Sequence, residues 1–260
     1  MRKNIKIASY NINGIRAAIK KGLVEWLADS DLDIVCLQET KAQPEQIDNQ
    51  LFENLGYSCY WYSAKKKGYS SVGILTKIQP KHIEYGCGIA AYDAEGRILR
   101  VDFDDFSVMS VYMPSGSSGS ERQGFKMTFL ADFFPYCQKI LQENPNLIVA
   151  GDYNIAHEEI DVHAPKRFKK TSGFLPEERA WLDVFFNDYF TDSFRHMHPE
   201  QQTYSWWSYR ATSRQRNKGW RLDYLAISKN LESRLQDADI LTEIKHSDHC
   251  PVSLVLEDAV

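Results

Sequence analysis

The chain has 260 residues, of which 43% are hydrophobic, and its formal net charge at pH 7 is -4. This share of apolar residues is enough for a substantial core, so the sequence predicts a folded globular protein. The slight negative charge argues against a protein that coats nucleic acid by bulk electrostatic attraction, although it leaves room for a local basic track.

A single domain, residues 1–260, is predicted, because no Pro/Gly/Ser linker with a charge run and no fixed-period repeat interrupts the chain. Five cysteines lie without CxxC spacing, which is typical of reduced thiols in an intracellular, cytoplasmic protein. Met1-Arg2-Lys3 leads directly into an apolar strand, so we expect neither a signal peptide nor a membrane span. Nothing in the sequence requires a protein partner or more than a monomer.

The first predicted strands end in short polar or acidic side chains. Ile5–Tyr10 runs into Asn11 and Asn13, and the uninterrupted apolar run Ile34–Leu37 is followed by Glu39. Side chains two positions apart on an extended backbone point to the same side. These polar groups are therefore predicted to project from the strand tips.

Two helices are predicted between the early strands. Apolar residues recur at helical spacing over positions 15–27 and predict one helix that ends near Asp29. A second helix is predicted to begin at Pro44 and to end at Gly56. The next predicted strands are Ser58–Tyr62 and Val72–Thr76.

A hairpin is predicted in the middle of the chain. Strands over 97–103 and 106–112 flank Asp104-Asp105, and their antiparallel pairing argues against an all-parallel sheet. Tyr112 ends the second strand, just before the surface loop 114–120. Such a tyrosine is as consistent with packing as with catalysis unless it faces a polar site that the other strand tips share.

The strand after the long helix predicted from Ser120 carries the most informative pattern. Leu147–Ala150 is a continuous apolar run, typical of a strand covered on both faces, and it stops at Gly151 before Asp152 and Asn154. On extended backbone these two side chains project together from the strand tip. The alternative is an Asx turn, in which Asp152 bonds the backbone of its own turn.

The last strands repeat this design. Asp223 lies within the apolar pattern of Arg221–Ile227, and Asp248 and His249 come just before the strand Val252–Leu256. Strands in both halves, some of them antiparallel, alternate with helices. This order predicts an α/β fold with two mixed sheets packed face to face under outer helices.

If the strand tips converge, they form a mouth of carboxylates and amides with one histidine. No serine or cysteine lies beside a histidine in an elbow-type motif, which disfavours covalent acyl chemistry. The predicted mouth consists of Asn11, Asn13, Glu39, Asp152, Asn154, Asp223, Asp248 and His249.

The oxygen ligands of this mouth suit Mg²⁺ or Mn²⁺ better than zinc. His246, His249 and Cys250 are a zinc alternative, but their spacing fits no closed zinc site and a fourth nearby ligand is lacking. The candidate ligands for Mg²⁺ are Glu39 first, then Asn11, Asp248, Asp152 and Asn154.

The same residues suit phosphodiester hydrolysis, in which water attacks and the protein positions and stabilises charge. Asp152 is predicted to take the proton of the water, and Asn154 to hold the water or a phosphate oxygen in line. Asp223 is predicted to orient His249, so that His249 and Tyr112 face the phosphate oxygens.

Positive charge is concentrated in three places. A solvated face is the simpler account of the lysine triplet, whereas basic residues mixed with tryptophans favour contacts with phosphates and bases. The three clusters are Lys65–Lys67, Lys166–Lys170, and Arg210, Arg214, Arg216, Lys218 and Arg221 interleaved with Trp206, Trp207, Tyr209 and Trp220.

Six motifs, in order from the first strand to the last, closely resemble the exonuclease III type of apurinic/apyrimidinic (AP) endonuclease. The match covers essentially the whole chain, and several long motifs in register are far more specific than any single one. The motifs are Asn11-Ile12-Asn13-Gly14-Ile15-Arg16-Ala17, Leu37-Gln38-Glu39-Thr40-Lys41, Gly151-Asp152-Tyr153-Asn154-Ile155-Ala156-His157, Glu159-Ile160-Asp161, Gly219-Trp220-Arg221-Leu222-Asp223-Tyr224 and Ser247-Asp248-His249-Cys250-Pro251.

The resemblance implies a four-layered αββα sandwich of the deoxyribonuclease I-like type. It also implies a Mg²⁺-dependent cut on the 5′ side of abasic sites in double-stranded DNA, within base excision repair, and usually 3′-to-5′ exonuclease and 3′-end-cleaning activities. The family's roles for the acids, Asn154, Tyr112 and His249 agree with those predicted above.

The resemblance further implies a pocket for the flipped, base-less sugar, because a missing base makes flipping cheap. Trp206, Trp220 and Leu222 match this pocket, and core packing is their alternative role. The remaining candidates for substrate contact are Arg210, Ser115 and Lys169.

Three positions depart from the family pattern. Asn13 stands where some members carry Asp, which weakens it as a charged ligand. Ser115 replaces an asparagine that is common after the Tyr-x-Pro turn, which puts one phosphate contact in doubt. Arg167-Phe168 are bulkier than the small residues often found in that loop, and they bear on the balance between endonuclease and 3′-end activities.

Two other functions compete with this reading. Related sandwich folds cleave phosphoinositides or sphingomyelin with the same layout, but lipid head groups would not explain the mixture of tryptophan and arginine from Trp206 to Arg221. The second is a DNA-binding protein without catalysis. Against it stand the intact Glu39, Asp152, Asn154, Asp223 and His249.

Overall fold

The computed structural model describes residues 4–258, so the lead-in Met1-Arg2-Lys3 lies outside the described residues. The strands, in chain order, are β1 (Asn4–Asn11), β2 (Ile34–Gln38), β3 (Ser58–Tyr62), β4 (Val72–Thr76), β5 (His82–Tyr85), β6 (Ile98–Asp102), β7 (Ser107–Tyr112), β8 (Leu147–Asp152), β9 (Phe190–Asp192), β10 (Asp223–Ser228), β11 (Leu235–Ile240) and β12 (Val252–Glu257). The predicted strands agree with these bounds to within about two residues.

These strands form two six-stranded mixed sheets. The first has the order β11-β12-β1-β2-β4-β3, and the second has the order β5-β6-β7-β8-β10-β9. In each sheet one neighbouring pair is parallel, β1 with β2 and β7 with β8, and the other neighbouring pairs are antiparallel. The predicted hairpin is the pair β6 and β7.

Helices cover the outer faces of both sheets. The α-helices are α1 (Ile15–Ile19), α2 (Leu23–Asp29), α3 (Gln50–Glu53), α4 (Ala90–Asp93), α5 (Ser120–Glu143), α6 (Pro165–Phe168), α7 (Pro176–Val184) and α8 (Ser193–Met197), with a π-helical turn at Phe185–Tyr189. The 3-10 turns are Pro44–Gln46, Glu159–Asp161, Arg210–Thr212 and Lys229–Arg234. No helix within residues 4–258 is long and apolar enough to cross a membrane.

Three apolar clusters separate the four layers. One lies between the sheets and joins inward-facing residues such as Ile7 of β1 and Ile148 of β8. A second packs α5, through Phe129, against the outer face of the second sheet, and a third packs α1 and α2 against the first sheet. The predicted four-layered αββα sandwich is therefore confirmed.

The two early helices are shorter than their apolar spacing predicts. The single helix predicted up to Asp29 is wrong, because α1 and α2 are separated at Gly22, whose φ of 98° lies in the left-handed region that glycine adopts without strain. The helix predicted from Pro44 is also wrong. Ile47 is extended and buried against the first sheet, so tertiary packing overrides the helical period there.

A buried ion network lies beside the start of β10. The Arg221 guanidinium donates to both carboxylate oxygens of Asp161, at 2.8 and 2.9 Å, and lies 2.7 Å from Asp192. Arg195 donates to Asp161 as well, at 2.7 Å. Burial acts to raise the pKa of Asp161, but the two arginines outweigh it and lower the pKa to about 2.

We expect Asp161→Asn to lower the free energy of unfolding at pH 7 by about 3 to 5 kcal/mol, because it removes the counter-charge that Arg195 and Arg221 share and leaves Arg221 with Asp192 alone. The pKa of Asp161 falls from an ordinary 3.8 to about 2 on folding, so its contribution is complete above about pH 4 and is lost as the pH falls toward 2. Urea denaturation at pH 7 and pH 3 checks both statements. The exposed Asp188→Asn is the control, and equal stability of the two variants would contradict the prediction.

Candidate active site

The strand tips of both sheets meet at one end of the sandwich. Asn11 ends β1 and Glu39 follows β2 in the first sheet. In the second sheet Tyr112, Asp152 and Asp223 are direct neighbours across β7, β8 and β10, because Asp152 pairs in register with each of the other two. The predicted convergence is therefore observed.

Three side chains at this mouth could together hold a metal ion. Glu39, Asp152 and His249 each offer a ligand atom, and these atoms all lie within 4.8 Å of one another. Asn11 donates through Nδ2 to Glu39 and to Asp152, at 2.9 Å each. Asn11 thus turns its amide nitrogen toward the acids and holds them together in this arrangement. Lys41 Nζ lies 2.7 Å from the other oxygen of Glu39.

The donor set of this cluster suits a divalent cation. Two carboxylates supply hard oxygen ligands, which Mg²⁺ and Mn²⁺ prefer, and neither His246 nor Cys250 belongs to the cluster among the described residues. Asp248 lies beside it, with its carboxylate accepting from Asn13 at 2.9 Å and from Trp206 at 3.1 Å. The role of Asp248 as a ligand stays a prediction.

The turn after β8 is an Asx turn, and it also directs the Asp152 and Asn154 side chains to the active site, so both interpretations of its sequence apply. Asn154 has a φ of 53°, so the backbone leaves the extended conformation, and Asp152 Oδ1 accepts from the Asn154 amide at 2.8 Å. This is the Asx turn. Asp152 Oδ2 nevertheless faces the mouth, 3.9 Å from His249 Nε2, and Asn154 Nδ2 donates to it at 3.3 Å. Burial and the charge of Asp223 raise the pKa of Asp152 to about 7, against the lowering effect of His249.

His249 is held by a buried carboxylate. Its Nδ1 lies 2.8 Å from Asp223 Oδ2, and Ser205 Oγ donates to the same oxygen at 2.6 Å. Burial disfavours a charged imidazole, but Asp223, together with Asp152 and Asp248, outweighs burial and raises the pKa of His249 to about 10. Asp223, the predicted partner, is therefore in place and favours the charged form of the imidazole.

Tyr112 faces the same mouth. Burial and the carboxylates of Glu39 and Asp152 raise the pKa of its phenol well above the usual value, so the O–H remains a hydrogen-bond donor. The Arg97 guanidinium lies 4.9 Å from the centre of the Tyr112 ring and donates to its backbone oxygen at 2.7 Å. Tyr112 thus meets the condition that the sequence left open.

These observations are matched by comparison with known proteins. Residues 8–249 match the Endonuclease/Exonuclease/phosphatase family. This chain belongs to that family. It is 41% identical over 254 residues to an exodeoxyribonuclease of Bacillus subtilis, covering 97% of this chain and 99% of the relative. It is 39% identical over 256 residues to the DNA repair nuclease APEX1 of Danio rerio, covering 97% of this chain and 82% of the relative.

Solved structures of the family agree with the fold. A 3′ phosphatase from Neisseria bound to a product DNA hairpin superposes with a TM-score of 0.91 at 26% identity, covering 98% of this chain and all of that one. An AP endonuclease from Archaeoglobus fulgidus gives a TM-score of 0.90 at 28% identity, with the same coverage. The predicted exonuclease III resemblance and the predicted hydrolase class are confirmed.

A cavity of about 400 Å³ adjoins the acids and His249 of this nuclease. Its lining includes Trp206, Trp220, Leu222 and Ser115. Trp220 and Leu222 are also buried in a small apolar cluster, and the Phe168 ring lies 5.0 Å from the Trp220 ring. Pocket lining and core packing therefore both apply to Trp220 and Leu222.

Other predicted substrate residues lie outside this cavity. Neither Arg210 nor Lys169 lines it, and the exposed Lys169 lies 3.4 Å from Glu159. Two arginines of the basic stretch from Arg210 to Arg221 bind other groups of the protein. Arg221 belongs to the buried ion network, and Arg214 donates to the carbonyls of Ser247, Thr242 and Ile244 while its guanidinium lies 4.6 Å from the Trp207 ring. The exposed members of that stretch are Arg210, Arg216 and Lys218.

Sequence reasoning missed several residues that hold the nuclease site. Ser205 gives no sequence signal. The amides of Ser205 and Trp206 both donate to the Trp220 carbonyl, and Ser205 Oγ donates to Asp223. Lys126 does give one, because a lysine within the buried aromatic face of a helix requires a partner. It pairs with Glu178 at 2.6 Å and donates to the Asn154 carbonyl at 2.9 Å.

Proposed function

We propose that this nuclease is a Mg²⁺-dependent DNA repair enzyme that hydrolyses the phosphodiester on the 5′ side of abasic sites. We propose 3′-to-5′ exonuclease and 3′-end-cleaning activities beside it, with Mn²⁺ as a substitute metal and the monomer as the active form. The observation that carries this proposal is the cluster of Glu39, Asp152 and His249 beside a cavity walled by Trp206 and Trp220.

The names of its relatives support this proposal. They include exodeoxyribonucleases and AP endonucleases, and the Neisseria 3′ phosphatase is bound to a DNA hairpin. The substrate we propose is double-stranded DNA with abasic sites or blocked 3′ ends. We further propose that residues 1–260 act as one domain, because the site takes side chains from both sheets.

Glu39 is the first residue that we propose to hold the metal, with Asn11, Asp248, Asp152 and Asn154 as the further candidates. When bound, the cation neutralises charge on the scissile phosphate. Mg²⁺ keeps several waters and usually takes one or two protein carboxylates, which fits a site with few acids near an open cavity.

In the proposed reaction, water attacks the phosphorus and Asp152 accepts its proton. The bond from phosphorus to the 3′ oxygen breaks, and the 3′ oxygen takes a proton from solvent. The products are a 3′ hydroxyl and a 5′ phosphate. Protonated His249 and the O–H of Tyr112 donate to phosphate oxygens that gain negative charge. Asn154, held by its bond to the Met113 carbonyl at 2.9 Å, keeps the water or a phosphate oxygen in line.

The cavity supplies the proposed selectivity for abasic sites. A sugar without a base leaves the helix at little stacking cost, and Trp206, Trp220 and Leu222 offer it an apolar wall. Phe168, which is bulkier than the residues often found at this position in the family, packs behind this wall against Trp220 and so supports the pocket.

A duplex with one tetrahydrofuran abasic analogue tests the proposed function. We expect a single nick on the 5′ side of the analogue with Mg²⁺, no nick with EDTA, and recovery when Mg²⁺ is restored in excess. An otherwise identical intact duplex is the control. Nicking that is insensitive to EDTA would contradict the proposal, as would turnover of phosphoinositide or sphingomyelin alone. DNA binding without any cut would instead support a catalytically silent protein.

A further inference from the structure

Three fully buried polar side chains lie between the apolar core and the active site. Ser9, Gln38 and Ser110 are each 0% exposed, and they sit on β1, β2 and β7. Each lies two residues after an apolar residue of the cluster between the sheets, on the same face of its strand. The inward-facing rows run Ile5, Ile7, Ser9, Asn11 on β1, then Ile34, Cys36, Gln38 on β2, and Val108, Ser110, Tyr112 on β7.

These side chains form a continuous hydrogen-bonded chain. Ser9 Oγ donates to Gln38 Oε1 at 3.2 Å, and Gln38 Nε2 donates to Ser110 Oγ at 3.0 Å. Ser110 Oγ donates in turn to the backbone oxygen of Leu37 at 3.2 Å. Ser9 and Gln38 belong to the first sheet and Ser110 to the second, so the Gln38 amide links the two sheets.

Such a link constrains the sheets in a way that apolar packing does not. Burial of apolar surface is non-directional, whereas a buried hydrogen bond requires a defined distance and angle. A shift of one sheet past the other would leave buried polar atoms without partners, at a cost of about 1 to 3 kcal/mol each.

The linked positions are adjacent in sequence to the reacting groups. Gln38 immediately precedes Glu39, whose φ of 52° is a backbone conformation that non-glycine residues rarely adopt. Ser9 lies two residues before Asn11, and Ser110 lies two residues before Tyr112. The network therefore holds strand ends from both sheets directly below the cluster.

We propose that Gln38 is a positioning residue. With Ser9 and Ser110 it sets how the two sheets face each other, so that Glu39 of the first sheet meets Asp152 of the second at the separation that a divalent cation requires. This inference rests on the proposed function, because it assigns Gln38 to the metal site of that reaction.

If the network only stabilises the fold, a variant of wild-type stability should also keep wild-type metal affinity. If the network positions the metal site, that variant should lose affinity, and a triple variant separates the two roles. Ser9→Ala, Gln38→Met and Ser110→Ala together remove every polar side-chain atom of the network and keep similar volume at Gln38, which leaves stability close to that of the wild type. We expect the affinity for Mn²⁺ to fall by about 10-fold to 100-fold nonetheless, as outer-shell substitutions at metal sites do. We expect kcat on the abasic duplex to fall with it, with a smaller change in KM.

The readouts are the melting temperature, the Mn²⁺ affinity measured by electron paramagnetic resonance without DNA, and kcat and KM on the duplex. Ser110→Ala is a milder variant that tests the same link. Its matched control is Ser107→Ala, a buried serine at the far end of the same strand, for which we expect wild-type values.

Wild-type Mn²⁺ affinity and kcat in the triple variant, or equal losses in Ser110→Ala and Ser107→Ala, would overturn the inference. If instead the wild type never nicks the abasic duplex, the proposed function fails. The Mn²⁺ titration would still show whether Gln38 positions the metal site.

Discussion

Asp152→Asn is expected to slow the chemical step on an abasic duplex by about 10²-fold to 10⁴-fold, with DNA binding largely kept. The substitution preserves the shape of the side chain and removes its ability to accept a proton from water. Its oxygen can still accept from the Asn154 amide, the bond that closes the Asx turn at 2.8 Å. The loss should therefore appear in kcat rather than in binding.

The same variant should remain folded. Burial and the neighbouring carboxylate of Asp223 both disfavour a charged Asp152, and this offsets the loss of the hydrogen bonds that Asp152 Oδ2 accepts from Asn11 and Asn154. Single-turnover rates, DNA affinity in EDTA and the melting temperature measure the three quantities separately. The exposed Asp188→Asn is the control for loss of one acid. Turnover of Asp152→Asn at the wild-type rate would remove Asp152 from its proposed role.

The second large effect is expected at Asp223. Asp223→Asn removes the buried negative charge that keeps the imidazole of His249 protonated, and an amide can also present N–H to Nδ1 and select the wrong tautomer. We expect kcat to fall by about 10²-fold to 10⁴-fold, since the loss of an orienting carboxylate has such an effect in other histidine sites.

Ser205→Ala is the matched comparison for Asp223→Asn. It removes the hydroxyl that donates to Asp223 Oδ2 but leaves the carboxylate charge in place, so we expect a smaller loss of kcat. Nuclear magnetic resonance of the His249 ring reports its protonation in each variant. A charged His249 with normal kcat in Asp223→Asn would show that the carboxylate does not support the reaction.

Local periodicity explains why so much of the site could be predicted. Strands alternate with a period of two, so a polar residue such as Asn11 or Asp152 at the end of an apolar row must sit at the rim of the core. The same rule places Tyr112 at the end of the inward-facing row of its strand. The six motifs then identified the family, because they occur in order along the chain.

Periodicity failed where tertiary packing competes with local preference. The spacing over 15–27 is helical throughout, yet the chain turns at Gly22. Ile47 fits a helical stripe but is extended and buried against the first sheet. Arg221 is one of a run of basic residues, and only the fold reveals that Asp161, 60 positions away, binds it inside the protein.

The sequence by itself determined the strands, the polar residues at their tips and the family, because these are properties of neighbouring residues and of motif order. Only the tertiary structure decided which of those residues meet, since Asn11 and Asp152 are 141 positions apart and yet share a hydrogen bond of 2.9 Å. It also decided the partners that orient them. Ser205 on Asp223, Lys126 on Asn154 and Gln38 on Ser110 are contacts set by the packing of sheets and helices, which no local pattern encodes.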